Sequence, residues 1–259
     1  MKIIICGKGG SGKSTVSVML ARALARQDYR VLLIDADESN LGLHRLLGVD
    51  PPQVILDSLG GKQGMRELRK DPLTGDRIDL FQPDMAWGDL GAGCVVETEG
   101  VFLASVGKIH EAGEGCACPM GRLSRDVLSC LHIGPRDIII IDTSAGIEHF
   151  GRGIDSHADL IVGVVDPSYE SVLLSEKIRA MAEKEQMDLC FIINRADARG
   201  EEILRQKMKD APTVASLAFN EAIFLAGLDG QPVREADPGM DALCDYVIRK
   251  QNQGGVRDE

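Results

Sequence analysis

The amino-acid sequence predicts an α/β protein: a mostly parallel central sheet of about eight strands flanked by helices on both faces. Two observations carry this. Short runs of aliphatic and β-branched residues alternate with longer amphipathic segments along most of the chain. The runs are nearly continuous in apolar residues instead of alternating, which is how strands read when helices cover both sides of a parallel sheet. At 259 residues and 44% hydrophobic, the chain is expected to form one domain, 1–259. A domain of this size buries about 70 to 75% of its unfolded surface, so a metal is not needed merely to hold it together.

Taken in order, the strands are expected at 2–6, 30–35, 78–82, 101–106, 137–142, 160–166, 189–194 and 213–217. Each is short, apolar and bounded by turn formers. The first is followed by glycines and then by a helix over 13–27, where Val16, Leu20, Ala23 and Leu24 recur on one face. A second clear helix spans 170–185, with Val172, Leu173, Ile178 and Met181 at helical spacing. Segment 84–121 breaks the rhythm: it is glycine-rich and poor in helical period, and reads as an inserted, irregular stretch containing one strand. The tail, 251–259, is polar and expected to fray.

Charge and composition exclude some functions. Forty acidic against 29 basic residues give a net −11, which repels phosphate backbones and anionic lipid, so neither a nucleic-acid nor a membrane partner is expected. The opening MKIIICGKGG has an apolar run of only four residues, and nowhere do 18 apolar residues run together. The expected location is cytoplasmic. Seven cysteines, an odd number in a reducing compartment, argue against a disulfide framework and leave thiols available as ligands or redox groups.

The segment Gly7-Lys8-Gly9-Gly10-Ser11-Gly12-Lys13-Ser14 fits G-x-x-x-x-G-K-[ST], placed directly after a strand and opening a helix. Glycines there let backbone N–H groups turn onto phosphate oxygens, and the helix N-terminus adds positive potential. Lys13 is expected to neutralise the terminal phosphates of a nucleotide, and the Ser14 hydroxyl, followed by Thr15, to take a Mg²⁺ position. Asp35-Ala-Asp37 ends the second strand and Asp142 ends the fifth, both at the carboxyl edge where open α/β sheets bind ligands.

The extra lysine, Lys8, resembles the signature lysine of the deviant Walker A P-loop ATPases, the family of the MinD, ParA, arsenite-pump and nitrogenase iron proteins. That resemblance implies ATP/ADP and Mg²⁺ as cofactors, and a homodimer in which Lys8 reaches the partner's nucleotide. It further implies that Asp37 positions the attacking water, that Asp35 helps hold the Mg²⁺ shell and that Asp142 orients a water on Mg²⁺. Asn194-Arg195, ending the seventh strand, resembles the adenine-contacting asparagine; a turn-forming Asn is the alternative. Glu148, His149 and Arg152 follow Asp142 in a segment resembling a nucleotide-sensing switch.

Cys116-Ala-Cys118 lies in GEGCACPMG, with glycines before it and Pro119 after it, so it is no core segment. In extended backbone residues i and i+2 face the same side, and both thiolates can meet one ion. Two ligands leave a tetrahedral site half complete; at the axis of a two-fold dimer the copy supplies the other two. The alternative is a pair of exposed thiols with a redox role or none. Cys6, Cys130, Cys190 and Cys244 sit in apolar patterns and read as small buried hydrophobes, while Cys94 is ambiguous.

Together, KGGSGKS at 8–14, Asp35-x-Asp37, C-x-C at 116–118 and the AGIEH segment at 145–149 resemble the CooC-type ATPases, nickel-insertion factors for carbon monoxide dehydrogenase. The likeness spans about the whole chain, departing where Asp-Ala-Asp-Glu-Ser stands in place of Asp-x-Asp-Pro. It implies an ATPase that hydrolyses ATP to ADP and phosphate, holds nickel or zinc at a C-x-C pair shared across the dimer, and passes metal to carbon monoxide dehydrogenase or acetyl-CoA synthase. Two rivals remain: an iron–sulfur reductase like the nitrogenase iron protein, and a MinD/ParA-type positioning ATPase.

Overall fold

The strand Lys2–Gly7 (β1) is apolar without interruption and its residues 3–6 are wholly buried, which requires neighbours on both edges and cover on both faces. A computed structural model, describing residues 1–70, 79–108, 118–147, 157–235 and 237–254, supplies them. The other strands are β2 (Arg30–Asp35), β3 (Val95–Thr98), β4 (Val101–Ser105), β5 (Asp137–Asp142), β6 (Leu160–Val165), β7 (Asp188–Asn194) and β8 (Thr213–Leu217). They form one eight-stranded sheet in the order β3-β4-β2-β5-β1-β6-β7-β8, parallel throughout except for β3.

Alternate residues along the central strands feed two separate cores. Ile3, Ile5, Leu33 and Ile140 face helix α1 (Lys13–Ala25) and the helix Pro238–Gly254, meeting Leu20, Leu24, Leu243 and Val247. Ile4, Leu32, Ile34 and Ile139 face the other way, toward Leu123 and Val127 of the helix Cys118–Cys130 and Ile178 of the helix Tyr169–Lys184. Each such side chain contributes about 1.5–3 kcal/mol by leaving water. Pro119 is compatible with helix because it occupies the first turn, where its missing N–H has no partner to lose.

One expected strand is absent. Residues 79–82 of the run 78–82 are irregular, residue 78 lying outside the described residues; Phe81 instead packs sideways into the core. The place beside β4 is taken by β3, which reaches it through a two-residue turn, Glu99-Gly100, with φ of 50° and 79°. Both positive values define a type I′ hairpin, whose twist matches the flanking strands. Segment 84–121 is correspondingly less irregular than expected: it holds two strands, a 3₁₀ turn at Trp87–Leu90 and the start of the helix Cys118–Cys130, with 109–117 outside the described residues. The C-terminal helix runs on to Gly254, into the tail expected to fray. Among the described residues no helix is long and apolar enough to cross a membrane.

Candidate nucleotide site

The chain goes from β1 through α1 to β2 on one side and returns through β5 and β6 to the other, so the sheet reverses its winding next to β1. Ligand clefts in open α/β sheets form at such a reversal, outside the carboxyl ends of the strands. Loop 7–14 lies there. Gly7 has φ 148° and a Cβ on it would stand 2.4 Å from the Val164 carbonyl oxygen; at Gly12, φ 94°, it would stand 2.3 Å from Asn194 Nδ2. Both positions therefore demand glycine on conformation and on space. No side chain caps the start of α1, and its first N–H groups are left open to an anion.

Around this loop the functional side chains interlock. Lys13 is buried, its Nζ donating to the Lys8 carbonyl at 3.3 Å. Ser14 Oγ donates to Asp142 Oδ2 at 2.7 Å and Ser17 Oγ to Oδ1 at 3.0 Å. Asn40 Nδ2 donates to Ser14 Oγ at 2.9 Å and lies 3.5 Å from Asp142 Oδ2. Asp142 is fully buried, and burial pushes its pKa up against the opposing pull of the Ser14 bond and of Lys13. A buried carboxylate held by hydroxyls and an amide, with an alcohol oxygen beside it, is a hard-oxygen donor set that fits Mg²⁺.

Asp35 and Asp37 differ in setting. Asp35 is buried and its pKa is raised to about 7 by burial, against the Lys108 ammonium 2.7 Å away. Asp37 is half-buried; its Oδ1 accepts from Ser39 N and Oγ at 2.9 and 2.7 Å. Lys8 does not point at loop 7–14 but lies 3.7 Å from Asp166, 3.6 Å from Glu170 and 3.4 Å from Ser168 Oγ. Burial works against ionising Asp166, yet the Ser171 and Ser168 hydroxyls, then Lys8, hold its carboxyl below its ordinary range.

Asn194 Nδ2 donates to the Ser11 carbonyl at 2.7 Å and Arg195 Nη1 to that of Gly10 at 3.1 Å. Both residues thus brace the loop while lining a small cleft with Thr15, Leu217, Phe219 and Phe224. Gly146 N donates to the Gly7 carbonyl at 3.0 Å, joining the loop to the segment after β5, and a Cβ on Gly9 would meet Ala145 Cβ at 3.5 Å.

Lys108, Asn40, Phe219 and Phe224 are site residues that sequence reasoning missed. The aromatic after the last strand was a usable signal; a lone lysine and a lone asparagine in loops were not.

The cysteine pair falls largely outside the described residues: Cys116 lies beyond them, and of Cys118 only its place at the start of a helix is described. Glu148, His149 and Arg152 also lie outside them. Among the described residues no group of three or more His, Cys, Asp or Glu is placed to hold a metal. Cys94 is fully buried beside Gly91 within the core, as are Cys6, Cys190 and Cys244 in theirs, whereas Cys130, expected to be buried, is half-buried at a helix end.

Phosphate loop, helix terminus, two strand-end aspartates and reversed sheet define a P-loop nucleotide-binding domain. The chain belongs to the CobQ/CobB/MinD/ParA nucleotide binding domain family, which it matches over residues 2–233. It is 40% identical over 231 residues to an uncharacterized ATP-binding protein of Methanocaldococcus jannaschii, covering 89% of this chain and 93% of that one. It is 34% identical over 216 residues, 76% of this chain and 80% of the other, to the carbon monoxide dehydrogenase accessory protein CooC of Rhodospirillum rubrum. Among solved structures, the septum site-determining protein MinD of Pyrococcus horikoshii, complexed with Mg-ADP, matches with a TM-score of 0.68 and 21% identity, covering 100% of this chain and 98% of that one.

Proposed function

We propose that this chain is a homodimeric ATPase that couples ATP binding and hydrolysis to delivery of nickel into carbon monoxide dehydrogenase or acetyl-CoA synthase. The observation that carries the reading is the conjunction, in a chain 34% identical to CooC, of Lys8 in the phosphate loop with the Cys116-Ala-Cys118 pair. Lys13 and the open N–H groups of α1 bind phosphate, and Asp37 orients the attacking water. Ser14 and Asp142 hold Mg²⁺, which when bound neutralises phosphate charge. Asn194 and Arg195 border the base, and Asp35 shapes the metal surroundings through Lys108.

Dimerisation is supported by the surface. Leu41, Tyr169, Phe219 and Phe224, exposed by 68, 68, 55 and 47%, all follow carboxyl ends of strands, on the edge that carries the site. In the proposed dimer the two Cys116-Ala-Cys118 pairs would face each other, each protomer owning half of a sulfur site. Nickel is then cargo, bound when ATP closes the dimer and released when hydrolysis opens it. The test is metal content of wild type and Cys116→Ser, with and without ATP. About one nickel per two chains, dependent on ATP and lost in the variant, is the expected result; full uptake by isolated monomers, indifferent to nucleotide, overturns the proposal.

The fold likeness to MinD favours a second reading, a positioning ATPase. Vesicle or DNA pelleting in the presence of ATP separates the two, since a chain of net charge −11 acting as a metal carrier stays in the supernatant.

A further inference from the structure

Lys108 follows β4 by three residues and is 8% exposed along its side chain. Its ammonium has three donors, and all are used. They go to Asp35 Oδ2 at 2.7 Å, to the Asp37 carbonyl at 2.7 Å and to the Asn40 carbonyl. Neutralising Asp35 needs only the first. The other two fasten loop 36–40, which is also tied by the bond from Ala36 N to the Asp142 carbonyl at 2.9 Å, the one from Asn40 N to the Asp37 carbonyl at 3.3 Å and the one from Asp37 N to Asp35 Oδ1 at 3.3 Å. Without the ammonium, two carbonyl dipoles would converge on a buried carboxylate with nothing between them.

What the loop carries makes this consequential. Asn40 Oδ1 accepts from Gly42 N at 2.9 Å, which fixes its side chain, and Nδ2 is thereby aimed at Ser14 Oγ and Asp142. Asp37 lies on the same short loop. Asn40, which reaches Ser14 and Asp142, and Asp37 thus share a loop fastened by a lysine that bonds to neither of their side chains.

We infer that Lys108 is a positioning residue for nucleotide turnover, setting loop 36–40 against Ser14 and Asp142. The inference rests on reading the site as ATP-hydrolysing. A displacement of about 1 Å in such a loop costs on the order of 10²-fold in rate, whereas phosphate binding by loop 7–14 does not pass through Lys108.

The test compares wild type, Lys108→Met, Asn40→Ala and their double in steady-state ATP hydrolysis, with nucleotide affinity measured separately using a fluorescent ATP analogue. Expected for Lys108→Met is a fall of roughly 10²-fold in kcat with affinity within about threefold. The double is expected to lose no more than the worse single, because both act on one contact chain. Lys108→Arg, which keeps a cation beside Asp35 and secures the fold should the Met variant be insoluble, is expected to lose at least about tenfold, since a planar fork cannot reproduce three convergent bonds. Unchanged kcat in both Lys108 variants, or losses that multiply in the double, overturns the inference while leaving the ATPase reading intact. A wild type that neither binds nor hydrolyses ATP overturns both.

Discussion

Lys8 and Lys13 stand five residues apart on one loop, and the fold treats them differently. Lys13 is buried and held over the loop, while the Lys8 side chain is 30% exposed and rests on Asp166 and Glu170 at 3.6–3.7 Å. The Glu170 side chain is 79% exposed, so that pair is screened and weak. The contact to Asp166, whose side chain is 20% exposed, is the firmer of the two and is what Lys8 gives up in turning to another anion. Lys8→Ala is expected to bind nucleotide as wild type does and to lose turnover on the order of 10³-fold, the scale a charge supplied in trans adds to phosphoryl transfer; unchanged hydrolysis would remove the cross-subunit role. Asp35 yields a prediction with a sign. Its folded pKa, about 7, is above the ordinary 3.8, so the native state takes up a proton between pH 4 and 7 that the unfolded chain does not. Stability conferred by that proton is full below about pH 4, declines as pH rises from 4 to 7 and is gone above it. Urea midpoints at pH 5 and 8 should differ in this direction, and Asp35→Asn should flatten the difference.

At the scale of elements, what was legible depended on how local the determinants are. β1, β2, β5, β6 and β7 announce themselves because burial on both faces leaves no polar residue inside them, and loop 7–14 because Gly7 and Gly12 are required both by φ and by space. The hairpin was not legible by the same rule. Val95–Thr98 is only partly buried and sits at a sheet edge, and its turn, Glu-Gly, is less telling than Asn-Gly. Phe81 misled in the opposite sense: an apolar run ending in Pro83 supplies a core plug without a strand. Lys108 and Asn40 gain meaning only from partners 68 to 73 and 26 to 102 residues away in sequence, a separation no local pattern encodes. The hairpin turn can be tested directly. A Cβ on Gly100 would meet only Ala25 Cβ at 3.6 Å, an ordinary contact, so the cost of Gly100→Ala is purely that of φ 79°. It should destabilise by about 1 kcal/mol in urea unfolding without altering nucleotide binding, because β3 lies at the far edge from loop 7–14. The buried thiols offer a further check. Burial pushes Cys6 and Cys190 up to about 12, and Cys94 is equally enclosed. Iodoacetamide on the native protein, read by peptide mass spectrometry, should spare all three; labelled Cys94 would restore it as a candidate ligand.

On the scale of the whole molecule, net charge and surface pull a dimer in opposite directions. Two chains of −11 each repel at long range, and bound ATP adds to the negative charge at the joining edge. In the proposed dimer, attraction would come from the exposed apolar side chains at that edge and from Lys8 meeting the opposite phosphate. These act at contact, where water is excluded and salt screens little; the repulsion acts across solvent, where a Debye length of about 8 Å at physiological salt removes most of it. Screening therefore weakens the opposing force more than the favouring ones. The proposed ATP-dependent dimer should tighten when ionic strength rises from about 0.05 to 0.3 M, by severalfold in dissociation constant as followed by sedimentation velocity. Leu41→Asp should loosen it at every salt concentration, because Leu41 is 68% exposed and a new carboxylate there adds to the repulsion without disturbing the core. A dimer that weakened steadily with salt would mean that charge pairs, not the apolar rim, hold the edge together, and Lys8 would then carry most of the association instead of chiefly the chemistry.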